Sequence, residues 1–123
     1  MIRSYCLLTK KYSLPQLSYT VKEAVTFINL NLSSNLTVKK VSSKIGLSPD
    51  YLTRLFKKEM GMNIITYINK KRIETSLELL KVTDLSIAEI GDLIGLNNTS
   101  YFYTLFKKET GTSPKQYRNS ILS

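Results

Sequence analysis

The chain has 123 residues, 42% of them hydrophobic, and its 18 Lys and Arg against 9 Asp and Glu give a net charge of +9. This length suits one domain or two very small ones, and no apolar run approaches the ~18 residues of a membrane span, which excludes a membrane protein. With no histidine and a single cysteine, Cys6, the sequence predicts no metal site, no cofactor and no internal disulfide, whereas the positive charge favours an anionic partner.

Residues 1–19 show no steady hydrophobic period and contain Pro15, which predicts a linker or irregular segment. Basic residues interrupt its apolar positions, unlike a secretory signal peptide, so a cytoplasmic protein is expected. Cys6 is interpreted as an incidental thiol. We expect this segment to be the end of something longer.

Residues 20–62 are predicted to form a first unit of three helices. Thr20 and Glu23 form a candidate capping box for a helix whose apolar face extends to Leu32 and which ends at residues 33–35. Thr37 is a candidate N-cap for a short second helix, and Ser48 is the N-cap of a third, at residues 49–60.

The third helix follows a turn at Gly46, where glycine tolerates a positive φ. Its apolar stripe consists of Tyr51, Leu52, Leu55 and Phe56. A short helix with a buried seam and a polar, basic outer face, entered through a glycine turn, is typical of the second helix of a helix-turn-helix. Taken alone, the segment fits any amphipathic surface helix equally well.

Residues 63–81 are predicted to form a long linking helix capped by Asn63, and residues 82–123 a second unit. In that unit Ser86 and Glu89 form a Ser-x-x-Glu capping box, Asn97 or Asn98 caps the helix at 98–110, and a final short helix follows Ser113. No window alternates as a strand would. The expected fold is all-α, with two helix-turn-helix subdomains, a long linking helix and about seven helices.

The strongest architectural signal is an internal repeat. Residues 46–61 and 95–111 share an opening Gly-Leu, a Tyr, and the run Leu-Phe-Lys-Lys-Glu followed after one residue by Gly. Two copies of one supersecondary unit in a short chain indicate a duplicated module. The charge is unequal between the copies: residues 36–72 carry nine basic and two acidic side chains, and residues 73–123 carry five basic and six acidic.

From about residue 20 to residue 118 the sequence resembles the C-terminal DNA-binding domain of AraC/XylS-type transcription regulators. The resemblance is carried by residues 47–61, by Arg72-Ile73-Glu74, by Ser86-Ile87 with Ile90, and by residues 101–118. It implies two helix-turn-helix units whose recognition helices, 49–60 and 98–110, occupy successive major grooves of double-stranded DNA.

The resemblance also implies residue roles. The positions expected to contact base edges are Asp50, Thr53, Arg54, Thr99, Ser100, Tyr103 and Thr104. The positions expected to contact phosphates are Thr37, Lys39, Lys57, Lys58, Arg72, Ser86, Lys107 and Lys108. Arg54 has independent physical sense because a guanidinium can bond guanine O6 and N7 together, while Asp50 is equally suited to the positive end of its helix.

One departure from the family pattern bears on function. Thr104 stands where the second recognition helix usually carries Arg, in the unit that is net acidic. We therefore expect the first unit to supply most of the DNA affinity and the second to contribute position, weak readout or contacts with RNA polymerase. The alternative is that Lys107, Lys108, Lys115 and Arg118 suffice for phosphate anchoring.

Two other classes of function compete with DNA binding. A basic protein-interaction adaptor would use the same charge without reading bases. An enzyme is disfavoured because the sequence lacks histidine and any glycine-rich phosphate loop, and the tyrosines at 51, 67, 101 and 117 are expected to be core residues. The resemblance further implies a sensory or receiver domain ahead of this one.

Overall fold

The computed structural model describes residues 17–122, and over that range the chain forms helices and no strand. The seven helices are α1 (Tyr19–Leu30), α2 (Val38–Ile45), α3 (Pro49–Met60), α4 (Ile64–Val82), α5 (Ile87–Leu93), α6 (Thr99–Thr110) and α7 (Pro114–Leu122). The expected all-α fold is confirmed. Residues 1–16 of the predicted linker, including Cys6, lie outside the described range, and none of the seven helices is long and apolar enough to cross a bilayer.

Side-chain caps fix most helix starts where the sequence predicts them. The Thr37 hydroxyl accepts from the Lys40 amide at 3.0 Å, and Asn98, rather than Asn97, accepts from the Tyr101 amide at 3.0 Å. Such bonds satisfy backbone donors that the first helical turn leaves unpaired. The short connections are therefore set by local chemistry.

The start of α1 differs from the prediction. Ser18, not Thr20, is the N-cap, because its hydroxyl accepts from the Val21 amide at 3.2 Å. The Ser18 amide in turn donates to Glu59 Oε1 at 2.7 Å. Since Glu59 belongs to α3, a tertiary contact that local sequence cannot reveal supports this cap and ties the start of α1 to the end of α3.

The buried side chains form two separate hydrophobic cores. The first contains Val21, Ala24, Ile28, Leu36, Val41, Leu52, Phe56, Ile64, Tyr67 and Ile68. The second contains Ile73, Leu80, Ile90, Ile94, Leu96, Phe102, Leu105 and Phe106. Helix α4 contributes its first half to one core and its second half to the other, so it closes the first unit and opens the second.

The internal repeat is visible in the packing. Phe56 and Tyr67 meet edge to face in the first unit with ring centroids 5.6 Å apart, and Phe106 and Tyr117, their counterparts in the repeat, meet at 6.1 Å in the second. Each pair joins a recognition-type helix to the helix that follows it. Both helices α3 and α6 are thus held by buried aromatic contacts on their inner faces.

Candidate nucleic-acid interface

Helix α3 presents a polar outer face opposite a buried inner side. Gly46 has a φ of 77° in the turn before it, and Ser48 caps it by accepting from the Tyr51 amide at 3.2 Å. Leu52 and Phe56 are completely buried. The predicted contact residues of this helix are all exposed, namely Asp50, Thr53, Arg54, Lys57 and Lys58.

Helix α6 repeats the arrangement with a different set of outer side chains. It follows Gly95, whose φ is 82°, and it buries Phe102, Leu105 and Phe106. The predicted contact residues Thr99, Ser100, Thr104, Lys107 and Lys108 are exposed, and Tyr103 is half-buried. Short hydroxyl groups dominate the first two turns, and the lysines lie in the last turn. This helix has no arginine equivalent to Arg54 of α3.

The two helices that precede the recognition helices differ at their N-termini. The first turn of α2 carries no acid, and Lys39 and Lys40 are exposed there. At the start of α5 the predicted capping box is present: Ser86 accepts from the Glu89 amide at 3.0 Å, and Glu89 Oε1 accepts from the Ser86 amide at 2.8 Å. A carboxylate already occupies the positive end of α5, which disfavours a phosphate there.

Arg72 is not available for phosphate contact, contrary to the prediction. Its side chain is only 8% exposed, and it donates to Leu32 O at 3.2 Å and to Ser34 O at 2.7 Å. Burial lowers the pKa of the Arg72 guanidinium, an effect that the neighbouring Tyr101 opposes. Arg72 is buried because it lies between the two cores, where the loop after α1 supplies carbonyl acceptors.

Arg118 is likewise committed within the protein. It donates to the carbonyl oxygens of Leu80, Thr83 and Leu85 at 2.5–3.2 Å, so it does not serve as the phosphate anchor that the alternative requires. Two of the expected core tyrosines are also misplaced by the prediction: Tyr51 and Tyr101 are 47% and 48% exposed. Both lie at the edge of their apolar stripes, where periodicity alone cannot separate core from rim.

Within residues 17–122, no group of three metal-binding side chains comes together. The features that the structure does bring together are polar, and they belong to the two helix-turn-helix units. Comparison with known proteins is consistent with this arrangement.

Residues 41–120 match the helix-turn-helix domain family. The regulatory protein PocR of Salmonella typhimurium is 37% identical over 101 residues, which cover 82% of this chain and 33% of PocR. The chain thus spans about a third of the length of the first curated relatives it matches, 33% of PocR and 36% of the arabinose operon regulatory protein of Escherichia coli.

Solved structures share the fold. The C-terminal domain of AraT, a response regulator from Geobacillus stearothermophilus, superposes with a TM-score of 0.84 at 39% identity, covering 86% of this chain and 88% of that one. The DNA-binding domain of AdpA, solved in complex with a target DNA, has a TM-score of 0.80 at 21% identity and covers 84% of this chain and 93% of its own. The duplicated helix-turn-helix architecture and these matches show that the chain belongs to the AraC/XylS family of transcription regulators, to whose C-terminal DNA-binding domain it corresponds.

Proposed function

We propose that this domain binds double-stranded DNA in a sequence-dependent manner as the output domain of a transcription regulator. Helices α3 and α6 enter successive major grooves, and the first unit supplies most of the affinity. The observation that carries the proposal is the duplicated exposed polar face, mounted in each unit on a helix whose opposite side is buried in a core. A rigid base of this kind lets side chains reach base edges in fixed positions.

The proposed inequality rests on two differences between the units. Arg54 on α3 can bond a guanine bidentately and neutralise charge, whereas Thr104 on α6 offers one hydroxyl and a methyl group. The N-terminus of α2 is flanked by Lys39 and Lys40, whereas the N-terminus of α5 is bonded to the Glu89 carboxylate. Both differences support the proposal that the first unit attracts DNA more strongly.

The test begins with selection of bound sites from random duplexes and footprinting of the selected operator. Wild type, Arg54→Ala and Thr104→Ala are then titrated against that operator. Arg54→Ala is expected to lose about tenfold in affinity and to relax specificity at one base pair, because one bidentate contact is worth ~1–3 kcal/mol. Thr104→Ala is expected to lose less than about fivefold, since a single neutral hydrogen bond has a net worth of ~1 kcal/mol or less.

Lys81→Ala is the charge-matched control, because Lys81 is exposed near the end of α4 and has no predicted contact. Equal losses for Arg54→Ala and Thr104→Ala would contradict the inequality between the units. Absence of any gel shift, together with a salt-dependent association with an acidic protein, would instead favour the adaptor function.

The same proposal includes the setting in which the domain works. We infer that it has no catalytic role, since the sequence contains no histidine and its single cysteine is Cys6. A sensory or receiver domain precedes it in the full protein, which acts in the cytoplasm, and RNA polymerase is the second partner. The greater length of the matched relatives supports the additional domain.

A further inference from the structure

The boundary between the two hydrophobic cores falls at one point of α4. Ile68 belongs to the first core and Ile73 to the second, and Arg72 lies in the interval between them. Because the cores are separate, the relative orientation of the two units depends on α4 and on whatever contacts bridge the gap beside it. Arg72 is the buried charged side chain at that boundary.

Arg72 connects α4 to the first unit through the loop that follows α1. Its Nε donates to Leu32 O and its Nη2 to Ser34 O, at 3.2 and 2.7 Å. Charged donors form stronger bonds than neutral ones, and the planar guanidinium fixes both acceptors in one geometry. The loop is therefore held against the middle of α4.

The second unit touches the same assembly through its turn. A Cβ placed on Gly95 would collide with Leu32 O and would lie 2.8 Å from Arg72 Nη2. Gly95 thus lets the turn before α6 pack directly on the loop of the first unit and on the guanidinium. The corresponding glycine of the first unit, Gly46, has nothing within 4 Å of its Cβ position. The two glycines share a positive φ, 77° and 82°, but differ in this contact.

We propose that Arg72 is a positioning residue that fixes the orientation of the two helix-turn-helix units, and thereby the spacing of the two half-sites that the domain accepts. The inference rests on the proposed DNA binding. When two binding modules are linked, the second gains affinity only if the connection holds it at the correct distance. Adding one base pair rotates the second half-site by roughly 34–36° and shifts it by ~3.4 Å, given a repeat of 10–10.5 base pairs per ~34–36 Å turn.

The decisive variants are Arg72→Met, which removes both bonds, and Arg72→Lys, which keeps the charge without the planar fork. Lys71→Met is the matched control, because it removes one charge from the neighbouring position, where Lys71 pairs with Glu74 at 3.2 Å on the surface. Each protein is titrated against the selected operator, a duplex retaining only the first half-site, and operators with one base pair added or removed between the half-sites.

Arg72→Met is expected to lose about tenfold in affinity for the full operator, with less than about a twofold change for the single half-site. Its preference for the selected spacing should flatten, Arg72→Lys should be intermediate, and Lys71→Met should keep the wild-type preference. Equal losses on full and half-sites, or an unchanged spacing preference, would overturn the inference.

Gly95→Ala and Gly46→Ala test the same contact from the other side, and they decide the matter if Arg72→Met does not fold. Both introduce a side chain at a positive φ, 82° and 77°, but only the first meets Leu32 and Arg72. Gly95→Ala should therefore flatten the spacing preference, and Gly46→Ala should not. The same preference in both variants would count against the proposed role.

A readout without DNA separates this inference from the proposed function. Spin labels at positions 57 and 107, in a Cys6→Ser background, report the distance between equivalent points of the two units. The distance distribution should broaden or shift in Arg72→Met and stay unchanged in Lys71→Met; an unchanged distribution in Arg72→Met overturns the inference. If wild type binds no duplex, the DNA-binding proposal fails, while the label distances still decide whether Arg72 fixes the orientation.

Discussion

Three arginines in the described part of the chain serve two opposite purposes. Arg54 is exposed on α3, whereas Arg72 donates to backbone carbonyls in the loop that follows α1, and Arg118 to carbonyls in the last turn of α4 and the loop after it. Carbonyls at a helix C-terminus lack intrahelical partners, and a guanidinium has five donors with which to satisfy them. Each unit is thus closed by an arginine from a later helix.

Loss of the Arg118 side chain is predicted to destabilise the domain. Arg118→Met should lower the free energy of unfolding by ~2–4 kcal/mol, because three carbonyl acceptors lose a charged donor and part of that loss is recovered by water. Urea unfolding followed by circular dichroism measures this change.

Lys115→Met is the control for that measurement, since Lys115 is exposed on the same helix and its loss should change stability by no more than ~0.5 kcal/mol. Similar stabilities for the two variants would mean that the Arg118 bonds contribute nothing beyond what solvent provides.

The sequence could not separate these roles. Arg54, Arg72 and Arg118 all lie on helices in a basic chain, and hydrophobic periodicity assigns charged residues to the outside by default. Only the position of the loop carbonyls distinguishes a bridging arginine from a solvent-facing one. Hydrophobic periodicity likewise does not separate Tyr51 and Tyr101, which lie at the stripe edges and are half exposed, from Tyr67, which is buried.

At the scale of the helix, the starts of α2 and α5 are equivalent in the repeat and unlike in charge. Both caps, at Thr37 and Ser86, are predicted correctly from the sequence, because an N-cap and a capping box are formed within four residues. The electrostatic consequence is that α2 offers an anion its positive end with two lysines nearby, and α5 offers a positive end already bonded to Glu89.

Glu89→Gln is therefore predicted to increase DNA affinity by roughly two- to threefold at low salt, since glutamine keeps the capping box and removes a negative charge near the phosphates. Fluorescence anisotropy with a labelled operator at two salt concentrations measures the effect. Glu78→Gln makes the same charge change at an exposed site on α4 and should change affinity less. If both variants bind alike, the gain reflects net charge alone.

At the scale of the whole molecule, two cores share one helix. Phe56 and Phe106 are each completely buried, in different cores. Truncating either side chain to alanine should lower the free energy of unfolding by ~3–5 kcal/mol. Because few buried contacts pass from one core to the other, local openings should be confined to the damaged unit.

Hydrogen exchange with mass spectrometry tests that prediction. Phe56→Ala should accelerate exchange mainly in α1–α3, and Phe106→Ala mainly in α5–α7, with the repeat making each variant the control for the other. Uniform acceleration across both units would show that the domain opens as a single cooperative body.

The sequence by itself determined the helices, the N-caps of α2 to α6, the duplication and the centres of the inner faces, because these depend on interactions within a few residues and on a pattern that the chain states twice. Only the tertiary structure decided the separation into two cores, the start of α1 at Ser18 under the carboxylate of Glu59, and the use of Arg72 and Arg118 as internal bridges. The hydrogen bonds among these features join residues that are 33–41 positions apart in the sequence. No local pattern encodes which carbonyl a distant guanidinium will find, since that depends on how the helices pack.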